Sequence, residues 1–236
     1  MVRQSDCRNR LLAVMSGQDF AILAPHLAPT DLPLGMIVAE ANRPIETIFF
    51  PETGVASMIA TTPSGIQVEA GLIGREGFSV PALVLNTLQL PYGSLIQVPG
   101  HGHSIGRDVF LRAIDDNPSL LRLMLRFAQC LIIQTSYTAL SNGAHELDVR
   151  LARWLLMIHD RSPSDDLPVT HEFLSIMLAV RRPSVTNALH VLEGHGLIRA
   201  ERGCILIRNR ADLEVFAGDA YGIPEDEYRR LIGPLD

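Results

Sequence analysis

Apolar and polar positions follow two different periods along the chain, and the period changes near residue 107. Between about residues 30 and 106, short apolar or β-branched segments alternate with proline and glycine. These segments are residues 36–39, 47–50, 56–61, 67–72 and 94–98. Short strands at this spacing predict a small antiparallel barrel or sandwich. Ahead of them, residues 8–27 have apolar residues near helical spacing and predict a helical lead-in.

From Arg107 onward the period is helical. Residues 108–114 predict a short helix, residues 119–139 a long one that ends at Asn142-Gly143, and residues 145–160 a third. The long helix carries two apolar seams, Leu120, Met124, Phe127 and Leu131 on one side and Leu121, Leu125, Ala128 and Ile132 on the other. One seam can cover the β domain, so the second predicts packing against the same helix of another copy. A helix fully buried in one monomer is the alternative, but Arg122 and Arg126 require water.

Residues 170–210 have the pattern of two short helices followed by a β-hairpin. Thr170 can cap the first helix, residues 180–182 suit a tight turn, and Pro183 suits the first turn of the second helix. A two-stranded ribbon follows around Gly203. This order predicts a winged helix-turn-helix, whose second helix enters the major groove of DNA.

Charge supports this interpretation locally, although the chain as a whole is acidic. The net charge is −6, and all 20 basic residues are arginine. Residues 171–210 hold six arginines and three acidic residues, a local charge of +3. The arginines lie in the turn, at the start of the second helix and in the ribbon, as contact with DNA requires. A basic helical hairpin that binds protein is the alternative.

Composition excludes several other classes of protein. With 236 residues, 47% hydrophobic and 19% charged, the chain can bury one large core or two ordinary ones. It has no apolar run of the ~18 residues that a membrane helix needs and no signal-peptide core, so we expect a cytoplasmic protein without a membrane partner. The three cysteines are far apart, which argues against a disulfide framework.

Taken together, these motifs resemble the cyclic-AMP receptor / fumarate-nitrate regulator (Crp/Fnr) family of bacterial transcription factors. The resemblance rests on residues 73–77, the long helix, residues 145–156 and, most specifically, residues 181–198. It implies an α+β fold with a cyclic-nucleotide-binding-like antiparallel β-roll in residues 1–117, a dimerisation helix in residues 118–142 and a winged helix-turn-helix DNA-binding domain in residues 143–236. It also implies a homodimer that binds a palindromic operator in double-stranded DNA, with RNA polymerase as a further candidate partner.

The resemblance assigns roles to single residues of the second helix and the wing. Arg182 stands at a base-reading position, where a bidentate contact to guanine is the usual chemistry. The cyclic-AMP receptor has glutamate at the position of Pro183 and arginine at that of Asn187, so its operator does not transfer to this chain. The full set of predicted DNA contacts is Thr170, Arg181, Arg182, Pro183, Ser184, Thr186, Asn187, His190, Arg199 and Arg202.

The sensor half departs from the family pattern. The resemblance implies an effector pocket at Gly74, Arg75, Glu76, Gly77 and Phe78, but no arginine lies between Arg75 and Arg107 to neutralise a cyclic phosphate. The sequence therefore predicts an effector other than cyclic AMP and leaves its identity open. Cys7 alone cannot ligate an iron–sulfur cluster. We predict no catalytic residue, no metal and no cofactor.

Two other functions stay open at this point. His101-Gly-His103 resembles the histidine pair of metal-dependent cupin enzymes, although the flanking proline and glycine favour a loop. The β domain can also be purely structural, in which case the protein binds DNA regardless of small molecules. Cys130 and Cys204 are most simply buried apolar residues, with redox sensing by Cys204 as the alternative.

Overall fold

The computed structural model describes residues 2–234, and its first two α-helices are short, α1 (Arg10–Val14) and α2 (Gly17–Leu23). The predicted helical lead-in is therefore interrupted. Ser16 leaves helical geometry between the two helices, and its hydroxyl oxygen accepts a hydrogen bond from the Asp19 amide at 3.0 Å. A serine that caps one helix cannot also continue the previous one.

Seven strands follow, and all their pairings are antiparallel. They are β1 (Ala28–Leu32), β2 (Ile37–Ala39), β3 (Thr47–Pro51), β4 (Val55–Thr61), β5 (Gln67–Ile73), β6 (Gly93–Val98) and β7 (Gly100–Gly106). They form two sheets, with the orders β1-β7-β3 and β2-β6-β4-β5. The five strands expected from the alternation are present, which confirms the predicted antiparallel roll.

Strand β7 corrects the expectation that His101-Gly-His103 is a loop. It pairs with β1 on one side and β3 on the other, so these residues lie in the middle of a sheet. A Cβ on Gly102 would be 2.3 Å from the Phe50 carbonyl oxygen, and one on Gly100 would be 2.3 Å from that of Thr53. These glycines allow close strand approach rather than a turn.

Helix α3 (Arg107–Asp116) leads into the long helix α4 (Pro118–Ala144). The predicted end at Asn142-Gly143 is wrong, because the helix runs through both residues to Ala144. One glycine costs a helix only about 1 kcal/mol. Two hydrogen bonds hold the last turn, from the His145 amide to the Ser141 carbonyl and between the two side chains, each at 3.1 Å.

The two seams of α4 have different environments. The first seam, Leu120, Met124, Phe127 and Leu131, is buried against the β-roll of the same chain. In the second seam Ala128 is buried and Leu121 is half-buried, whereas Leu125 and Ile132 are exposed by 37% and 51%. Arg122 and Arg126 are exposed as well, so α4 is not fully enclosed by its own chain.

The remaining elements follow α4 in the chain, and all of them except α9 form the C-terminal domain. They are α5 (Leu147–His159), β8 (Asp166–Leu167), α6 (His171–Leu178), α7 (Arg182–Gly194), β9 (Ile198–Glu201), β10 (Cys204–Ile207), α8 (Arg210–Ala217) and α9 (Ile223–Leu231). Strands β8, β10 and β9 form a third, antiparallel sheet. The hydrophobic core of this domain also includes Val55, Leu72 and Val98 from the β-roll.

Residue 1 of the predicted sensor domain and residues 235–236 of the predicted DNA-binding domain lie outside the described residues. Over residues 2–234, no helix is both long enough and apolar enough to cross a membrane.

Candidate nucleic-acid interface

Helices α6 and α7 are joined by a tight turn whose geometry follows from a few residues. The Thr170 hydroxyl oxygen accepts a hydrogen bond from the Phe173 amide at 3.2 Å and caps α6, as predicted. Ala179 ends α6 with a φ of 54°, in the left-handed region. At the other end of the turn Arg181 is extended and α7 begins at Arg182, with Pro183 in its first turn. The turn therefore fixes the direction in which α7 leaves α6.

The two faces of α7 differ sharply in burial. Val185, Ala188, Leu189 and Leu192 are buried against α5 and α6. The predicted contact residues lie on the other side: Arg181, Arg182, Pro183, Asn187 and His190 are exposed, and Ser184 and Thr186 are half-buried. The structure thus brings the predicted reading residues together on one accessible face, at the N-terminal end of the helix that a helix-turn-helix uses for base contacts.

The β9–β10 ribbon forms the wing beside this face. Gly203, with a φ of 77°, closes the hairpin and leaves Arg202 exposed at the tip. The Glu193 carboxylate accepts a hydrogen bond from the Ala200 amide at 2.8 Å and so ties the wing to the end of α7. Arg199 is also exposed and lies 3.0 Å from Glu201 on the same strand.

Arg182 already has a partner in the free protein. Its Nη2 donates to Glu172 Oε2 at 2.7 Å, and both side chains are largely exposed. The sequence interpretation missed both Glu172 and His171, whose Nδ1 lies 3.5 Å from the Thr186 hydroxyl. Their position in the first turn of α6, next to the Thr170 cap, is the signal that could have pointed to them. Any contact of the Arg182 guanidinium with DNA would therefore have to replace this ion pair.

Cys204 lies on a wing strand, half-buried. Partial burial, followed by the charges of Asp166 and Glu201, raises the pKa of its thiol. Because the thiolate is the reactive form, this environment opposes redox sensing by Cys204 at neutral pH.

The predicted effector residues lie at the junction of the two domains. Phe78 belongs to a cluster with Phe50, Phe110 and Phe127, whose ring centroids are 5.4 to 6.2 Å apart. A Cβ on Gly77 would be 1.8 Å from the Phe127 ring. Aromatic side chains therefore fill the part of the β-roll beside residues 74–77.

Glu76 takes part in a buried ion pair across the junction. The Arg161 guanidinium donates from Nε to Glu76 Oε1 at 2.8 Å, and the two side chains are only 5% and 2% exposed. Glu76 Oε2 accepts from the Gly74 amide at 3.0 Å. Two strong interactions therefore already occupy this carboxylate.

Arg75 lines a polar cavity of about 660 Å³ between the domains. Its guanidinium donates to the Asp160 carbonyl oxygen at 3.2 and 3.3 Å. Arg210 and Arg229 also line this cavity, together with Glu225 and Asp165. The predicted effector residues are thus divided between the filled roll and this interdomain cavity.

His101 and His103 have different environments on β7. His101 is exposed, and its Nδ1 lies 3.1 Å from the Thr53 hydroxyl. The His103 side chain is largely buried, with Nδ1 3.3 Å from Glu52 Oε1. Within residues 2–234, no three His, Cys, Asp or Glu side chains are grouped so that they could hold a metal ion. The donor set of a cupin metal site is therefore not assembled around this pair.

Comparison with known proteins agrees with this geometry. Residues 149–216 match the sequence family described as the Crp-like helix-turn-helix domain. No curated protein sequence matches the chain.

Solved structures with similar folds include regulators from three bacteria. A transcriptional regulator assigned to the crp/fnr family, from Eubacterium rectale, has a TM-score of 0.67 at 15% identity, over 89% of this chain and 98% of that one. The c-di-GMP-responsive global regulator CLP of Xanthomonas campestris has a TM-score of 0.64 at 16% identity, over 81% and 99%. A CRP-family regulator from Thermus thermophilus has a TM-score of 0.66 at 18% identity, over 80% and 96%. Residues 149–216 are therefore a Crp-like helix-turn-helix domain, and the chain has the fold of these Crp/Fnr-type regulators.

Proposed function

We propose that the protein acts as a homodimer that recognises a palindromic operator through α7 and the wing. The observation that carries the proposal is the division of α7 into a buried apolar face and an exposed polar face that begins with Arg181 and Arg182. A symmetric dimer presents two such faces, one to each half-site. The exposed Leu125 and Ile132 of α4 support dimerisation, because a second α4 would remove them from water.

Within each half-site we assign Arg182 to a base and the wing to the DNA backbone. Arg182 stands at the start of α7, where a guanidinium can contact guanine O6 and N7 together. Asn187, one turn further along the exposed face, suits adenine. Arg199 and Arg202 on the wing suit phosphates, as do Arg181 and His190 beside the reading face. We further propose Ser184 and Thr186 for phosphate or thymine-methyl contact, Thr170 for a backbone contact, and Pro183 for shaping the helix start.

The first experiment selects binding sites from a random pool of DNA duplexes, using protein without added ligand. We expect a palindrome whose half-sites are about one helical turn (~34 Å) apart. Binding that depends on salt but not on sequence would contradict the proposal, because phosphate contacts alone give that behaviour.

Arg182→Ala then tests the assignment of the reading residue. We expect a loss of about 1–3 kcal/mol per half-site, confined to one base pair. Arg202→Ala is the matched control, since it removes the same charge from the wing and should weaken binding to all sequences alike. Uniform weakening by Arg182→Ala would refute the base-reading role.

We propose that the effector differs from cyclic AMP, because the β-roll offers no arginine between Arg75 and Arg107 for the cyclic phosphate. Millimolar cyclic AMP should leave the operator affinity unchanged, and a tenfold increase would show that it is an effector. Since one protein of similar fold is described as c-di-GMP-responsive, the same titration with that dinucleotide is the natural comparison. Within this proposal the protein works in the cytoplasm at promoters, beside RNA polymerase, and needs no cofactor.

A further inference from the structure

Helix α9 follows the winged helix-turn-helix in the sequence but packs in the core of the other domain. It lies against α4, and its Tyr228 is 4% exposed among the buried residues of the β-roll. Leu231 and Ile232, at the end of the helix, pack against the same core. The segment lies beyond residues 149–216, which match the helix-turn-helix family.

Polar contacts fasten this segment at both ends. Before α9, the Tyr221 hydroxyl donates to the Asp160 carboxylate, with distances of 2.9 and 3.0 Å to its two oxygens, and Arg210 donates to the same carboxylate at 2.7 Å. Within α9, the Tyr228 hydroxyl donates to the Glu76 carbonyl oxygen at 2.7 Å. Burial raises the pKa of Tyr228, so the phenol keeps the proton that it donates. One end is thus anchored in the DNA-binding domain and the other in the sensor domain.

The orientation fixed in this way places a sensor hairpin beside the DNA-reading elements. Helix α6 packs against β5, and the β4–β5 turn at Gly65, Ile66 and Gln67 lines a groove of about 400 Å³ together with Ala179 and Arg181. Arg181 is the residue before α7, whose N-terminal end must approach the major groove. Residues 62–67 carry no positive charge and therefore have no group that would attract a DNA phosphate. The uncharged β4–β5 turn therefore lies directly beside the residue that precedes α7.

We propose that α9 is an autoinhibitory strap, which holds the DNA-binding domain against the sensor domain of its own chain and keeps the β4–β5 turn beside α7. This inference rests on the proposed function of α7 as a DNA reader. A strapped protein binds DNA only in the fraction of time that the strap is released, so its apparent affinity is reduced by that fraction.

Two substitutions at one position and a control on the same helix test the strap. Tyr228→Ala removes the buried ring and the hydrogen bond, whereas Tyr228→Phe removes the hydrogen bond alone and keeps the ring that folding needs. Asp226→Ala is the control, because its side chain is 72% exposed and pairs only with Arg229 of the same helix among the contacts described. All three are made in the full chain and compared on the selected operator and on a random duplex.

We expect Tyr228→Ala to tighten operator binding at least about fivefold, Tyr228→Phe to tighten it less, and Asp226→Ala to leave it unchanged. Hydrogen exchange of residues 62–67 and 175–181 should rise in the same order, because the two turns separate when the strap opens. If Tyr228→Ala does not fold, Tyr228→Phe decides by the same two measurements. Unchanged or weaker operator binding by a folded Tyr228 variant overturns the strap. Failure of the wild-type protein itself to distinguish operator from random duplex overturns the proposed function, and the inhibitory role with it.

Discussion

Replacing Arg161 by methionine should destabilise the protein severely, because it leaves the Glu76 carboxylate buried without its counter-charge. The pair lies at the domain junction, with the two side chains only 5% and 2% exposed and the nitrogen and oxygen 2.8 Å apart. Breaking a buried ion pair from one side costs about 3–5 kcal/mol, against a total stability of about 5–15 kcal/mol for a typical protein.

The contacts around the pair place the cost in the upper part of that range. Arg161 also donates from Nη1 to the Met157 carbonyl oxygen at 2.6 Å, a bond that methionine cannot make. Of the two contacts described for its carboxylate, Glu76 keeps the hydrogen bond from the Gly74 amide. An unmade hydrogen bond to a buried group adds about 1–3 kcal/mol, partly included in the figure for the pair.

The assay is urea unfolding of the wild-type protein, Arg161→Met, Glu76→Gln and the double variant. We expect the double variant to be more stable than Arg161→Met, with a coupling of at least about 2 kcal/mol, because glutamine removes the unpaired charge. The exposed pair Arg230–Glu227 provides the control, since Arg230→Met should cost under about 1 kcal/mol. A loss below about 1 kcal/mol for Arg161→Met, without coupling, would refute the reasoning.

Three further predictions concern single side chains. Glu172→Gln should tighten operator binding about two- to fivefold per half-site, since it frees Arg182 from an exposed ion pair worth under about 1 kcal/mol; weaker binding would show that Glu172 helps to position Arg182. Arg202→Ala should lower the salt dependence of binding by about one unit of slope for each half-site, and an unchanged slope would exclude a phosphate contact. Burial raises the pKa of Glu69 well above its usual value, so the folded protein binds a proton at Glu69 more strongly than the unfolded chain does. The contribution of Glu69 to the free energy of unfolding therefore becomes less favourable as the pH rises above the unfolded pKa. Unfolding measured from about pH 5 to about pH 8 should therefore show Glu69→Gln gaining stability relative to wild type, and parallel curves would contradict this.

The helix-turn-helix could be predicted from sequence because its signals are local. The Thr170 cap, the turn before Arg182 and the apolar positions of α7 lie within one short segment, and each obeys a rule of helix geometry. The β strands with alternating patterns could also be predicted from sequence. Strand β7 could not, because Gly100 and Gly102 resemble turn residues until the close approach of the neighbouring strand is known.

The contacts between distant segments could not be predicted. Arg161 pairs with Glu76 from 85 residues away, and Tyr228 reaches the Glu76 carbonyl from 152 residues away. No periodicity or spacing links such positions, since their proximity depends on how the two domains pack. The surroundings of the predicted effector residues could not be predicted for the same reason: Phe78 packs in an aromatic cluster, and Glu76 forms an interdomain ion pair.

The hydrophobic core that joins Val55, Leu72 and Val98 of the β-roll to the C-terminal helices has a consequence for modularity. A DNA-binding domain cut out at residue 143 would expose the apolar surface that these three side chains cover, and surface of that kind promotes aggregation. Exchange of DNA-binding domains between related regulators would meet the same obstacle, because the new domain would have to pack against an apolar surface of the β-roll that it does not match. Changes of operator specificity in this protein are therefore better made by substitutions on the exposed face of α7 than by exchange of the domain.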